Sequence, residues 1–277
     1  MAGVIAFAGV LAAAANDAAI EIAVLPYFSA RTLLAQFEPL RAFVEDRLRR
    51  PVYLVTAPDY ATFVRRTQAG EYAFVITGPH LGRLAQVDAG YRPMLQWRSH
   101  LRGVFLVDRT SPSTTLADLR GKPIGTPDPL AITTFLGEEA LAAAGLPPGS
   151  VRANPQPSHN AAMLSVLRGE NAAALVWDKT LATVGAETRE RLRAIAVTAE
   201  LPIASLFLAG PRLAAGEAES LRDVLLAFAA TSAGRDFFAS SSYEGIDPVD
   251  AADLAALDRY LPATRRALGP QRSEPRQ

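Results

Sequence analysis

The residues best suited to bind a charged ligand open a predicted helix within the segment 127–134, which reads PDPLAITT. The first backbone N–H groups of a helix have no partner inside it, and the helix dipole makes that end positive. A turn at Ile132 to Thr134 can therefore hold an anionic or polar group. Thr133 and Thr134 add hydroxyls that either contact a ligand or cap the helix. This segment predicts a binding site, not a catalytic one.

Other polar side chains follow predicted strands, where α/β sheets place their ligand contacts. Asp178 directly follows the strand AAALVW, and Tyr27 and His80 follow two other strand ends. His159 directly precedes a helix, where it serves as a cap or donates a hydrogen bond to an anion in a cleft. Asp178 likewise contacts a ligand or caps the next helix. A carboxylate facing an oxyanion requires a protonated partner or a ligand with a cationic or hydroxyl group, which favours a ligand of mixed polarity.

Several other chemistries are missing from the sequence. The chain contains no Cys, which excludes disulfides, thiol nucleophiles, Cys-containing zinc sites and a lipidated cysteine anchor. The three histidines, His80, His100 and His159, have no metal-ligand spacing. The sequence also lacks a phosphate-binding glycine loop, a nucleophile elbow and a zinc-protease motif. We therefore predict a protein that is not an enzyme and that uses no cofactor and no metal.

Charge and hydropathy narrow the class further. Lys and Arg together number 28 and so do Asp and Glu, so the balanced charge predicts no binding to nucleic acid. Residues 1–19 contain VIAFAGVL followed by small residues, which predicts a signal peptide that is cleaved on export to the periplasm. The first basic residue is Arg31, which is atypical of such a signal, and an ordinary apolar N-terminus is the alternative. Residues 269–277 have no apolar content and are predicted to be a disordered tail.

The elements that must position these residues alternate between strand and helix. Apolar runs at 20–28, 51–57 and 72–78 predict strands, and helical spacing between them predicts a β-α-β-α-β unit. A second such alternation begins near residue 122, and two parallel sheets fit the chain length better than one. Pro39 predicts a kink or a division of the first helix into two short ones.

The predicted links between the two units are a pair of crossing strands. The apolar runs 103–108 and 203–210 each stand apart from the alternation and are interpreted as strands that cross between lobes. Helices near 221–231 and 251–260 are predicted to return to the first lobe.

The order of these motifs resembles the periplasmic phosphate, phosphite and phosphonate-binding proteins of ABC transporters. The similarity covers nearly the whole mature chain and rests on segments such as PDYATF, YAFVITGPH, TLADLRGKPIGTPDP and SHNAAMLSVLRGE. It implies the type II periplasmic-binding fold, in which two α/β lobes are joined by hinge strands. The implied divisions are lobe 1 at 20–104 and 204–268, and lobe 2 at 105–203.

The resemblance also implies site residues. Tyr60, His159 and Asp178 stand where the family places a pocket tyrosine, a histidine and an acidic residue. The family typically has Ser-Thr-Ser after the DP motif, whereas this chain reads Ala131, Ile132 and Thr133, so two hydroxyls are lost. Each lost hydrogen bond to a charged oxygen weakens binding by about 1.5–3 kcal/mol.

The resulting functional prediction is a periplasmic solute-binding protein. It captures a small polar or anionic ligand, such as a phosphonate-like or phosphate-like oxyanion, between its lobes for an ABC transporter permease, and it is expected to be a monomer. The alternative is a ligand-sensing accessory protein for a membrane sensor kinase, with changed specificity. An enzyme on this fold is disfavoured because a porphobilinogen-type deaminase needs a cysteine, and a transcription regulator would need a DNA-binding segment ahead of the domain.

Overall fold

The structure is a computed structural model that describes residues 19–241 and 243–269. The predicted signal peptide, apart from Ala19, and the predicted tail, apart from Gly269, lie outside the described residues. The strands are β1 (Ile20–Val24), β2 (Val52–Val55), β3 (Phe74–Thr77), β4 (Arg92–Trp97), β5 (Leu101–Asp108), β6 (Pro123–Thr126), β7 (Arg152–Pro155), β8 (Ala173–Trp177), β9 (Leu192–Leu201), β10 (Leu206–Ala209) and β11 (Ile246–Pro248).

Helices connect these strands and cover the sheets. They are α1 (Ala30–Leu48), α2 (Tyr60–Gln68), α3 (Pro79–Ala89), α4 (Ile132–Ala143), α5 (His159–Leu167), α6 (Ala186–Glu190), α7 (Ala215–Phe228), α8 (Ser232–Ser240), α9 (Ala251–Ala256) and α10 (Leu261–Leu268). Short 3-10 turns cover Ala117–Leu119, Asp178–Thr183 and Leu257–Tyr260. No helix in the described part of the chain is long and apolar enough to span a membrane.

Two sheets form the cores of two α/β lobes. The first sheet has the order β11-β4-β10-β3-β1-β2 and the second has the order β7-β6-β8-β5-β9. The expectation of parallel sheets holds for β1 to β3 and for β6 to β8, which are joined by helical crossovers. It is wrong for the other strands, because β10 pairs antiparallel with β3 and β4, and β5 pairs antiparallel with β8 and β9.

Helix α1 continues through Pro39, so its predicted division into two short helices is wrong. Ser29 caps its start by accepting a hydrogen bond from the backbone N–H of Thr32. Apolar side chains on both sides of the proline are fully buried against the first sheet, and Pro39 itself lies on the exposed face. Packing along the whole buried face therefore outweighs the one backbone hydrogen bond that proline removes. The buried residues are Leu33, Phe37, Leu40 and Val44.

The predicted pair of crossing strands is also corrected. Strand β5 pairs with β9, from Leu101 opposite Leu201 to Asp108 opposite Leu192, and both belong to the second sheet. Strand β10 lies inside the first sheet because all four of its residues are buried between β3 and β4. The chain passes between the sheets directly before β5 and directly after β9. The lobe boundaries at 104/105 and 203/204 stay predictions.

The late helices pack on the first lobe, as the sequence predicted. Helix α7 packs against α1, and α10 and the turn at Leu257–Tyr260 pack against α3. From the second lobe, Phe135 and Trp177 join the buried apolar cluster of the first lobe. The two lobes therefore meet in a closed arrangement.

Candidate ligand-binding cleft

A cavity of about 50 Å³ lies between the two lobes. The first lobe lines it from the ends of β1 and β3, from the starts of α2 and α3, and from the C-terminal segment. The second lobe lines it from the starts of α4 and α5 and the end of β8. Five of the seven residues predicted from the sequence lie together here, namely Tyr27, Tyr60, His80, Thr133 and His159.

A second, outer cavity of about 250 Å³ adjoins the first and shares Tyr27, Tyr60 and His159 with it. Asp59 and Asp128 also line the outer cavity. No Lys or Arg is among the described residues that line either cavity. Among these described lining residues, an anion would meet helix dipoles and neutral hydrogen-bond donors and no cationic side chain.

The start of α4 provides the dipole at the inner cavity. Its N-cap is Ala131, which makes no side-chain cap. The backbone N–H of Thr134 donates to the carbonyl of Ala131 at 2.9 Å, whereas those of Ile132 and Thr133, at the first two positions of the helix, have no acceptor within it. Ala131, Ile132 and Thr133 all line the cavity and are buried. Thr134 does not line it, because its hydroxyl donates to the backbone carbonyl of Asp128 at 2.9 Å.

Asp178 lies outside the residues that line the two cavities. Its carboxylate accepts a hydrogen bond from the Nε of Arg102 at 2.6 Å and another from the backbone N–H of Lys179 at 2.8 Å. This carboxylate thus forms an ion pair with Arg102, which lies near the start of β5. Its role as a ligand contact stays a prediction, as does that of Thr134.

His80 links the two lobes. Its Nε2 lies 2.9 Å from the backbone carbonyl of Leu130, and its ring stands edge-on to that of Phe135 at 5.4 Å between centroids. Burial lowers the pKa of His80 to about 4, so the ring is neutral at pH 7. A carbonyl oxygen only accepts, so Nε2 carries the proton and Nδ1 is left as an acceptor. Nδ1 is buried and has no protein partner.

His159 has the opposite arrangement. It begins α5, where Ser158 supplies the cap, and its Nδ1 accepts a hydrogen bond from the backbone N–H of Trp177 at 3.4 Å. Its Nε2 therefore carries the proton and is a donor for the cavity. Burial lowers the pKa of His159 to about 4 as well.

The tyrosines contribute neutral hydroxyls. Tyr60 begins α2, which Asp59 caps through the backbone N–H of Thr62, and burial raises the Tyr60 pKa. Tyr27 and Tyr243 share a hydrogen bond of 2.8 Å between their hydroxyls, and burial raises the pKa of both, that of Tyr243 to about 12. These hydroxyls stay protonated and can donate at neutral pH.

Four polar lining residues were not predicted from the sequence, namely Thr77, Trp177, Ser205 and Tyr243. Thr77 Oγ1 and Trp177 Nε1 are buried without a hydrogen-bond partner in the protein. Both residues end a strand, so the strand-end rule that selected Asp178 could also have selected them. Ser205 lies between β9 and β10, where the chain passes from one sheet to the other, and Tyr243 lies between α8 and β11. No local sequence pattern indicates a site at either position.

The described residues contain no cluster of three or more His, Cys, Asp or Glu that could hold a metal ion. The inner cavity instead combines a helix start, neutral hydroxyls and two neutral histidines. This arrangement suits reversible recognition of a small group rich in oxygen atoms.

Comparison with known proteins gives the same outline. A family model described as ABC transporter, phosphonate, periplasmic substrate-binding protein matches residues 22–254. A binding protein component of an ABC phosphonate transporter from Pseudomonas aeruginosa is 16% identical, with a TM-score of 0.80 over 92% of this chain and 90% of that one.

Two further solved structures share the fold. A Prochlorococcus marinus protein in complex with methylphosphonate is 16% identical, with a TM-score of 0.77 over 89% of this chain and 99% of that one. The periplasmic aliphatic sulphonate binding protein of Escherichia coli is 19% identical, with a TM-score of 0.59 over 88% and 91%. At these identities the likeness establishes the two-lobed periplasmic-binding fold alone.

Proposed function

Because this chain belongs to the family of periplasmic substrate-binding proteins of ABC phosphonate transporters, we propose that its inner cavity holds the oxyanion group of a small phosphonate or a related oxyanion. The family is a transport component and not a class of enzymes, and it works with a small-molecule ligand and a transporter permease. One observation carries the proposal. The start of α4, which lacks a side-chain cap, lines a cavity between the lobes together with Thr133, Tyr60 and His159.

Because no Lys or Arg among the residues that the structure describes lines the cavity, its affinity for an oxyanion depends on the number of hydrogen-bond donors. The lining residues of the inner cavity include Ile132 and Thr133 at the start of α4, together with Tyr60 and His159. Their donors are the backbone N–H groups of Ile132 and Thr133, the hydroxyls of Thr133 and Tyr60, and the Nε2–H of His159. A hydrogen bond to a charged oxygen contributes about 1.5–3 kcal/mol, so a few such bonds suffice for tight binding. Backbone groups replace part of what Ala131 and Ile132 lose relative to the hydroxyl-rich pattern of the family.

Binding also explains why the lobes close. Tyr60 and His80 come from the first lobe, whereas Thr133 and His159 come from the second. A ligand that contacts both sets stabilises the closed form over the open one and shifts the population toward it. The permease would then recognise the closed form.

Family membership gives no support to the alternative, an accessory protein for a sensor kinase. The remaining parts of the proposal are a monomeric state and cleavage of residues 1–19 on export. Light scattering of the purified protein tests the first, and the mass of the protein recovered from the periplasm tests the second.

The direct test is titration calorimetry of the full chain with methylphosphonate, phosphite, phosphate and methanesulfonate. We expect at least one phosphorus oxyanion to bind and to reduce the radius of gyration in solution scattering. Trp177 lines the cavity, so its fluorescence is expected to change on the same titration curve. Absence of binding by every oxyanion in this series would overturn the proposal.

A further inference from the structure

We propose that this cavity selects an oxyanion that still carries a proton, such as a singly ionised phosphonate, over an oxyanion that offers acceptors alone. This inference rests on the proposed function and names the chemical form of its ligand. The residue that makes the choice is His80, because the fold fixes which of its ring nitrogens carries hydrogen.

The fixed tautomer follows from the bond between the lobes. The carbonyl of Leu130 has no hydrogen to give, so His80 Nε2 must donate across the 2.9 Å between them. A neutral imidazole has one N–H only, and Nδ1 therefore keeps a lone pair. The ring is 1% exposed and Nδ1 has no protein partner. A buried acceptor of this kind costs free energy unless the ligand brings a donor to it.

Other groups of the same cavity have the opposite requirement. The indole Nε1–H of Trp177 only donates and is also buried without a protein partner. The Nε2–H of His159 donates as well, since its Nδ1 is occupied by the backbone N–H of Trp177. The ligand must therefore accept hydrogen bonds at one side and donate one at the other.

Oxyanions differ in whether they meet both requirements. A singly ionised phosphonate has two acceptor oxygens and one P–OH, so it can accept from Trp177 and His159 and donate to His80. A sulfonate, or a doubly ionised phosphonate, has acceptors alone. Its oxygen would bring a second lone pair against His80 Nδ1, which leaves both acceptors unsatisfied in a buried site.

Within the described part of the chain, no titratable group near His80 donates to its Nδ1. Tyr27, Tyr60 and Tyr243 line the same cavity and keep protonated hydroxyls, because burial raises the pKa of each, but none of them forms a hydrogen bond with Nδ1. Asp59 and Asp128 line the outer cavity only. The charged side chains on and around α3 form exposed ion pairs, namely Arg83 with Asp258 and Arg265 with Asp88.

The test compares methylphosphonate with methanesulfonate by calorimetry from about pH 5.5 to about pH 8.5, across the second ionisation of the phosphonate. The two ligands have similar size and shape, but the sulfonate has no proton to lose in this range. We expect methylphosphonate to bind at least about tenfold more tightly at the acidic end, as one buried hydrogen bond would give. Its apparent affinity should then fall by about tenfold per pH unit above that ionisation.

The sulfonate serves as the internal control, because titration of any protein group acts on both ligands. Equal affinity for the two ligands with no difference in their pH dependence would overturn the inference and leave the proposed function intact. Absence of binding by methylphosphonate, phosphite, phosphate and methanesulfonate alike would instead overturn the proposed function and, with it, this inference.

A variant pair isolates the acceptor of His80. His80→Phe keeps a ring but has neither ring nitrogen, so the bond to the carbonyl of Leu130 is lost for both ligands alike, whereas loss of the acceptor affects the protonated ligand alone. We expect the phosphonate-to-sulfonate preference to shrink below about threefold and the pH dependence to flatten. His100→Phe makes the same change in an exposed histidine that lines neither cavity, and it should retain both properties. A folded His80→Phe protein that keeps the full preference would contradict the proposal.

Discussion

The two histidines of the inner cavity are nearly equal in burial but opposite in hydrogen-bonding role. A backbone carbonyl fixes the proton of His80 on Nε2, and a backbone N–H makes Nδ1 of His159 an acceptor. Each role depends on a main-chain atom distant in sequence, Leu130 in one case and Trp177 in the other. Folding thus gives two side chains of the same type opposite roles in the inner cavity, one with a free acceptor nitrogen and one with a donor nitrogen.

Both histidines should make the protein sensitive to acid. Each has a folded pKa of about 4, below the ordinary 6.5, because burial disfavours the charged ring. Between these two values the unfolded chain binds more protons than the folded one, so the free energy of unfolding falls as the pH falls. Each histidine can contribute up to about 3 kcal/mol to this loss. Urea unfolding at a series of pH values measures it.

The variants His80→Gln and His159→Gln provide the comparison for that experiment. Each should remove part of the loss between about pH 6.5 and pH 4, since the substituted side chain does not titrate. His100→Gln, in an exposed histidine, is the control. An acid-side loss that is the same in all three variants and the native chain would show that the buried histidines are not its source.

Two neighbouring threonines at the start of α4 have different surroundings, which allows a ligand contact to be tested separately from a structural hydrogen bond. Thr133 lines the inner cavity, whereas the Thr134 hydroxyl is bonded to the carbonyl of Asp128. We expect Thr133→Val to weaken phosphonate binding by about tenfold or more through loss of one hydrogen bond to a charged oxygen. Thr134→Val should lower the free energy of unfolding by about 1 kcal/mol and leave affinity nearly unchanged. Calorimetry and urea unfolding of both variants measure these effects, and the reverse pattern would contradict the assignment.

The sequence could indicate individual residues of the candidate site only where they stand at the start of a predicted helix or after the end of a predicted strand. Tyr60, Thr133 and His159 stand at helix starts and Tyr27 and His80 follow strands, so their positions could be inferred from elements. The partners of a side chain come from the whole fold. The ion pair of Asp178 with Arg102 joins residues that are 76 apart, and the sequence has no pattern that relates them.

At the scale of elements, helix α4 begins without the side-chain cap that its position favours. Ala131 has extended φ and ψ, as an N-cap requires, but it has no oxygen to accept from the first turn. Helix α7 begins in the same way at Ala214, which is exposed and lines neither cavity. Helices α4 and α7 therefore both begin at an alanine without a side-chain cap, and of these two α4 begins at the inner cavity.

Serine at these two positions should have different consequences. Ala131→Ser and Ala214→Ser should each raise the free energy of unfolding by about 1 kcal/mol by capping a helix. Only Ala131→Ser should also tighten phosphonate binding, by up to about tenfold, because its hydroxyl can donate to the oxyanion. Urea unfolding and calorimetry measure the two effects. Equal changes of affinity in both variants would exclude a ligand contact at position 131.

The elements were more predictable than their pairing. Apolar periodicity marks α1, α2, α5 and the buried strands directly, since each must cover its side of a core. Strand β5 pairs with β9, and not with β10 as the sequence suggested. Which strands become neighbours depends on how well each possible neighbour covers the apolar residues of the other strand. Strand β10 has four buried residues and needs a neighbour on each side, which the first sheet provides. Sequence patterns along one strand do not contain that information.

At the scale of the whole molecule, ion pairs and aromatic contacts join the two lobes in addition to the hydrogen bond between His80 and Leu130. At the rim, Glu139 pairs with Arg259 at 3.0 Å and Lys179 pairs with Glu244 at 2.8 Å. These side chains remain about half exposed, and such pairs contribute no more than about 1 kcal/mol each. In the interior, Phe135 from α4 stands edge-on to His80 and stacks on Tyr260 at 6.4 Å, both from the first lobe.

The magnitudes favour the apolar contact as the main source of closure. Phe135 is 8% exposed in the closed form, and opening of the lobes would return its ring to water at a cost of about 2 kcal/mol. Phe135→Ala removes that advantage, so we expect it to weaken phosphonate binding by about 30-fold. With ligand present, solution scattering should show a larger radius of gyration than for the native chain.

Glu139→Gln is the matched comparison, because it lies one helical turn from Phe135 and removes one ion pair between the lobes. Its effect on affinity should stay below about fivefold, in keeping with an exposed pair. Both variants alter α4, and neither residue lines the cavities. A comparison of their affinities therefore tells whether the buried ring or the exposed ion pair stabilises the closed form more. A loss of affinity in Glu139→Gln as large as that in Phe135→Ala would mean that the rim charges, and not the buried ring, set the balance between open and closed forms.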